Sequence, residues 1–261
     1  IRRSMINSWD ILNMTHEIQP IIPVHTIDGG WGGPVAGMSD RQNPVRIIED
    51  NKQNHNDLIR LFGDVNLSLK ILENLNFRST LGVDYTGFWQ RNMQLKYVSG
   101  FMSENTNRVD VSANYAGNWI LSNTLNYNYE KGRNVFDVMA GQEMIKYAYQ
   151  GVTAGRDVFA SEDPDYMYLN AGESNRRNGG DATAYSLMSY FGKVNYNYDN
   201  RYLASVTLRY DGSSRFGANN RYGTFPAFSL GWRLSQEQFF AKAFPFVSDL
   251  KLRYGWGQTG N

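Results

Sequence analysis

Four successive segments in the last quarter of the chain alternate strictly between apolar and polar side chains, and a period of two leaves little choice of fold. Tyr190, Val194, Tyr196 and Tyr198 share one parity; Ser189, Lys193, Asn195 and Asn197 share the other. After a tight turn at Asp199-Asn200, Tyr202, Ala204, Val206, Leu208 and Tyr210 alternate with Arg201, Ser205, Thr207 and Arg209. Phe228, Leu230, Trp232 and Leu234 then oppose Ala227, Ser229, Gly231 and Arg233, and Leu250, Leu252, Tyr254 and Trp256 oppose Lys251, Arg253, Gly255 and Gly257. Successive side chains of an extended strand point to opposite sides, so each segment reads as a strand with one apolar and one wet face.

The same pattern begins at Leu58. Leu61, Val65, Leu67, Leu69 and Ile71 alternate with Asp64, Asn66, Ser68 and Lys70; a turn at Glu73-Asn74 leads into Leu75, Phe77, Leu81, Val83, Tyr85 and Trp89. Val111 to Tyr129 forms the next alternating run, Lys131-Gly132 turns the chain, and Phe136, Val138, Ala140 and Met144 follow less cleanly. The count is about eight strands, each longer than the ~5–6 residues of an average soluble strand. Short turns at 73–74, 131–132 and 199–200 alternate with long polar connections at about 91–108, 151–183 and 211–223. The fold class this predicts is all-β, an antiparallel up-and-down meander.

Composition narrows the partners. The 26 basic and 25 acidic residues nearly cancel, whereas nucleic-acid binding calls for a basic excess or stripe. Cysteine is absent, so disulfides and thiolate metal sites are excluded. No apolar run approaches the ~20 residues of a spanning helix, and mean hydropathy is −0.51. A transmembrane β-strand needs only ~10 residues of alternating character, so this value does not separate a soluble β protein from a membrane barrel.

Residues 1–56 read as irregular, punctuated by Pro20, Pro23, Pro34 and Pro44, with a short helical turn expected near Asn43–Glu49. Ser235–Phe246 breaks the β pattern; Ser235 is expected to cap a short helix whose Phe239, Phe240, Phe244 and Phe246 pack on a neighbour. Gly255-Trp-Gly-Gln-Thr-Gly260 matches G-x-G-x-x-G, but the strand before it carries Lys251 and Arg253. A strand buried on both faces, as a dinucleotide site requires, would not. His16, His25 and His55 lack metal-ligand spacing, and no nucleophile elbow occurs. On the residues alone, a soluble carbohydrate-binding β-sandwich and an outer-membrane barrel enzyme stay open beside a transporter barrel.

Particular runs carry a resemblance. Ser189-Tyr-Phe-Gly-Lys-Val-Asn-Tyr-Asn-Tyr198, Asp211-Gly-Ser-Ser-Arg-Phe-Gly217, Asn219-Asn-Arg-Tyr-Gly-Thr-Phe-Pro226, Trp232-Arg-Leu-Ser-Gln-Glu237, Asp249-Leu-Lys-Leu-Arg253 and Thr259-Gly-Asn261 occur in one order. In this they resemble the SusC/RagA-type TonB-dependent outer-membrane transporters, and Asn43-Pro-Val45 is similar as well. The resemblance implies the middle segment of a plugged transmembrane barrel of about 22 strands in the outer membrane of a Gram-negative bacterium of the Bacteroidetes type. Such proteins import oligosaccharides or peptides, with a SusD-like surface lipoprotein over the mouth and energy delivered through TonB. No cofactor and no catalytic residue is implied. The expected organisation is an external loop region at 1–56 and barrel strands and loops at 57–261, with the plug domain outside this segment.

Phase along the strands then nominates ligand-path residues. Lys193, Arg209, Arg233 and Arg253 fall on the polar parity, and the loop aromatics Trp31, Phe101, Tyr166 and Tyr168 are candidates for contact with ligand or lid. Tyr196, Leu208, Leu230, Trp232 and Leu252 are expected to face lipid, because a cation near the membrane midplane costs about 2–4 kcal/mol.

Overall fold

The computed structural model describes residues 2–5, 8–38 and 40–260. A short strand β1 (Arg2–Met5) and helix α1 (Ser8–Glu17) come first, then helix α2 (Pro44–Asn51). The long strands β2 (His55–Leu72) and β3 (Leu75–Gln94) follow, and a small hairpin of β4 (Tyr97–Ser99) and β5 (Met102–Glu104). Next are β6 (Arg108–Lys131), β7 (Asn134–Asp157), β8 (Ser174–Tyr198), β9 (Tyr202–Ser213) and β10 (Tyr222–Arg233). Helix α3 (Gln238–Ala243) and strand β11 (Lys251–Gly257) complete the order. The main sheet runs β1-β2-β3-β6-β7-β8-β9-β10-β11, so the eight long strands are a sequential meander, with β1 added on the free edge of β2.

The Asp199-Asn200 turn shows why the chain reverses where it does. Both residues have positive φ, 50° and 55°, as the tight turn that matches strand twist requires, and Asp and Asn tolerate that region. Asn197 Oδ1 accepts the Asn200 N–H at 3.0 Å, and the Asp199 carboxylate takes Arg201 at 3.1 Å. The second turn is centred on Gly132 and Arg133, one residue later than expected, because β6 runs through Lys131 and the glycine supplies the positive φ of 61°.

Further expectations need correction, among them the loops expected at 91–108 and 211–223, which shorten to 95–107, with a hairpin inside, and 214–221. The polar stretch 151–183 is mostly strand: β7 continues to Asp157 and β8 starts at Ser174, leaving 158–173 as the loop. Its residues are polar on both faces, so they carry no alternation, and pairing along neighbouring backbones extends the strand regardless. Residues 1–56 contain β1 and α1, which the pattern did not reveal, besides the expected α2. Helix α3 is preceded by Glu237, not capped by Ser235, whose hydroxyl instead hydrogen-bonds Asp249 at 3.1 Å. Three phenylalanines of that connector contact each other (Phe240–Phe244, Phe244–Phe246), and Phe239, Phe244 and Phe246 stay exposed while Phe240 is half-buried.

The chain divides into two compact units, one of residues 1–61, 85–116 and 149–183, the other of 62–84, 117–148 and 184–261. The first holds the one core cluster among the described residues: Met93, Val109, Phe159 and Met167, with Leu95, Val111 and Leu169 against it. There the N-terminal segment is clipped to the β4–β5 hairpin. Ser99 Oγ donates to Gly32 O at 2.8 Å and Phe101 N to Pro34 O at 2.9 Å. Gly100 takes φ +63°, and a Cβ on it would run into the Pro34 carbonyl.

Candidate functional site

In the second unit the sheet is inside out. Register fixes the faces: Tyr196 pairs Ala204, which pairs Leu230, which pairs Tyr254; one step along, Val194, Val206, Phe228 and Trp256 align. This apolar face is the bare one: Val206 is 56% exposed and Leu230 54%. The opposite face, with Lys193, Asn195, Ser205, Thr207 and Arg209, is the more sheltered. Water-soluble proteins bury the apolar face of a sheet, and a contiguous bare apolar surface of this extent marks contact with another apolar phase. Tyrosines end the bare face of β9 at Tyr202 and Tyr210; Tyr202 lies beside Trp232, and Tyr210 stacks on Tyr222 at 4.8 Å.

Lys193, Arg209, Arg233 and Arg253 all lie on the polar face by register, as their phase predicted; the first three are half-buried and Arg253 is exposed. Arg209 forks onto Asp211 (3.2 and 3.1 Å) and lies over the Phe191 ring. Arg233 Nε is 3.5 Å from Asp249. Among the described residues Lys193 and Arg253 make no ion pair. The loop aromatics stand in the first unit but are not gathered into one cluster. Trp31 stacks on His25 at 4.6 Å and bridges to Ser99; Phe101 is exposed at the β4–β5 turn. Tyr166 and Tyr168 project from the 158–173 loop, Tyr168 under the Arg91 guanidinium at 4.9 Å.

The structure adds residues that phase did not reveal. Asp157, the last residue of β7, is almost fully buried. It accepts hydrogen bonds from Arg177 Nη1 (2.7 Å), Asn175 Nδ2 (2.8 Å) and Arg108 Nε (3.1 Å), and Arg177 Nη2 reaches Asp110 at 2.9 Å. Burial alone would raise the Asp157 carboxyl, but the Asn175 and Arg177 hydrogen bonds and the Arg108 and Arg177 charges outweigh it and hold it below the usual range. A cavity of about 370 Å³ beside this network is lined by Gln90, Asn92, Ser112, Thr153 and Arg177. Asn107 clamps Phe159 from both sides, Oδ1 accepting from its N–H at 2.7 Å and Nδ2 donating to its carbonyl at 2.9 Å. Asn43 caps α2 through Val45 N and Arg46 N, and also donates to Val24 O and Gly32 O. On α2, Arg46 pairs with Asp50 and lies over Tyr97 at 3.7 Å; burial raises the Asp50 carboxyl against the pull of Arg46. The one sequence signal for these residues was asparagine next to a turn or helix start; their partners lie up to 67 residues away.

A sequential antiparallel meander with long strands, a bare apolar face ended by aromatic rings and a sheltered polar face is the wall of a membrane-spanning β-barrel. The soluble sandwich is thereby set aside, since its apolar face would be the covered one. Residues 23–261 match the family model "TonB dependent receptor-like, beta-barrel". The chain belongs to this family, whose members are outer-membrane receptors and transporters of Gram-negative bacteria rather than enzymes. It is 36% identical over 223 residues to the TonB-dependent receptor SusC of Bacteroides thetaiotaomicron, covering 84% of this chain and 21% of that protein. It is 29% identical over 269 residues to the TonB-dependent receptor P39 of Formosa agariphila, covering 98% of this chain and 24% of the relative. The structure of the RagAB peptide transporter has the same fold, with TM-score 0.73 and 21% identity over 90% of this chain and 26% of that one. The chain thus spans about a quarter of the length of its relatives.

Proposed function

We propose that this chain is part of the barrel wall of an outer-membrane importer of oligosaccharides or peptides, working with a SusD-like surface lipoprotein and driven through TonB. The observation that supports the reading is the inverted sheet, with apolar side chains bare on one face and a charged, amide-rich face opposite, in a chain of this family. Lys193, Arg209, Arg233 and Arg253 then line the solute path, and Tyr196, Leu208, Leu230, Trp232 and Leu252 face lipid. Trp31, Phe101, Tyr166 and Tyr168 meet solute or lid at the mouth.

Connection length sets the orientation, since outer-membrane barrels keep short turns in the periplasm and long loops outside. The turns at 73–74, 132–133 and 199–201 are periplasmic. The connections 95–107, 158–173 and 214–221, together with residues 1–56, are external. By strand parity the connector between β10 and β11 is periplasmic despite its length. Strand length agrees: β7 has 24 residues, more than twice the ~9–11 that cross a bilayer, so its far end stands clear of the membrane.

Cells carrying the full parent protein test both parts. Uptake of a labelled oligosaccharide or peptide is expected to require TonB, and uptake that persists unchanged without TonB sinks the importer. Tyr166→Cys is expected to react with an impermeant maleimide on whole cells while Glu73→Cys stays protected; the reverse labelling overturns the orientation.

A further inference from the structure

We propose that the polar face of β8–β11 is a basic basin that binds anionic solute, by its carboxylate or sulfate groups; this rests on the importer reading. The floor is the cross-strand row Asn195–Ser205–Ser229–Gly255. Its side chains are short, and they leave a hollow of about 500 Å³ whose charged lining is Lys251, Arg253 and one carboxylate, Asp137. The row on one side begins with Lys193, and the row on the other ends with Arg253.

Cations outnumber carboxylates on this face. Lys193, Arg209, Arg233, Lys251 and Arg253 stand on the paired strands against a single carboxylate, Asp211, and Arg209 already holds it. Arg233 and Lys251 are directly opposite each other in register, an arrangement that like charges make unfavourable. The nearest relief, Asp249, is 3.5 Å from Arg233 Nε, which is buried and makes no hydrogen bond. Among the described residues, Lys193, Lys251 and Arg253 have no ion-pair partner. The one acid in the lining, Asp137 on β7, accepts from Asn195 Nδ2 at 3.3 Å and leaves two cations to one carboxylate there. An excess of cations around a small-residue floor with two serine hydroxyls is complementary to an oxyanion that brings its own charge. A surface of one sign in a cleft raises the local concentration of counter-charged solute by about 10-fold or more, the more so at low salt.

The test uses the full parent protein in cells with four labelled solutes: a uronate oligosaccharide, its neutral counterpart, an acidic peptide and its neutral counterpart. The double substitution Lys251→Gln with Arg253→Gln is expected to lower uptake of one anionic solute about 10-fold and leave the neutral ones within about twofold. The charge-preserving Lys251→Arg with Arg253→Lys is expected to restore it. Whichever anionic solute responds identifies the source of the oxyanion. Equal loss for anionic and neutral solutes means that the cations pair with carboxylates of the parent protein, and it overturns the basin, as does no change at all. Calorimetry on the purified parent in detergent separates the two readings. Salt-sensitive binding of the anionic solute, lost in the double variant, upholds the basin even if TonB-dependent uptake fails; absence of such binding sinks the basin and leaves the importer standing.

Discussion

Replacing Val206 by arginine asks which solvent the bare face meets. Val206 is 56% exposed in the middle of β9, with Val194 on one neighbouring strand and Phe228 on the other. Tyr202 and Tyr210 bracket it, four residues away on each side. At ~3.3 Å per residue each ring is about 13 Å along the strand, or roughly 9 Å in height at a tilt near 45°. That puts Val206 close to the middle of an apolar band about 25 Å tall. An arginine there costs about 2–4 kcal/mol in lipid but stays within about 0.5 kcal/mol on a wet surface. The lipid value lowers the folded-to-unfolded ratio roughly 30- to 900-fold. Thr207→Arg, one residue on and facing the polar side, is the matched control, expected to cost less than about 1 kcal/mol. The assay is denaturant unfolding of the parent protein in lipid vesicles, with the yield of heat-modifiable barrel in cells as a second readout. Costs that are small and equal at both positions would falsify the lipid-facing assignment.

Three further outcomes follow from the loop end. Asn107→Ala leaves the Phe159 amide and carbonyl unpaired in a dry site and is expected to cost about 2–3 kcal/mol locally, read as faster amide exchange across 158–173 with the strands near the short turns unaffected. Asp157 has a lowered carboxyl pKa in the folded state, so its stabilisation is present above the unfolded value of about 3.9 and is lost as pH falls through the lower folded one. Protection of the 158–173 loop should therefore drop at strongly acid pH, and Asp157→Asn should lower protection at neutral pH and flatten that pH response; an unchanged response in the variant contradicts this. Asn43→Ala removes the cap of α2 and two ties to the preceding segment, with an expected loss of about 1–2 kcal/mol, seen as proteolytic nicking between Val24 and Gly32 before any change in the sheet.

What the sequence by itself determined is what depends on neighbours along the chain. A strand's side chains alternate whatever the strand pairs with, so the faces of β9, β10 and β11, the shared phase of Lys193, Arg209, Arg233 and Arg253, and the turn at Asp199-Asn200 were all legible. Pairing across the sheet decided the rest. Residues 174–183 are polar in both phases and look like loop; they are strand because β7 beside them offers backbone partners. Local pattern shows that two faces differ, but only the assembled sheet shows that the apolar one is bare and that the polar one is the more sheltered on β8 and β9. The buried clamps lie furthest from view: Asn107 reaches Phe159 across 52 residues, and Arg177 reaches Asp110 across 67. Hydrogen bonds between side chains so far apart leave no periodic trace, because their geometry exists only once the strands that carry them are in register.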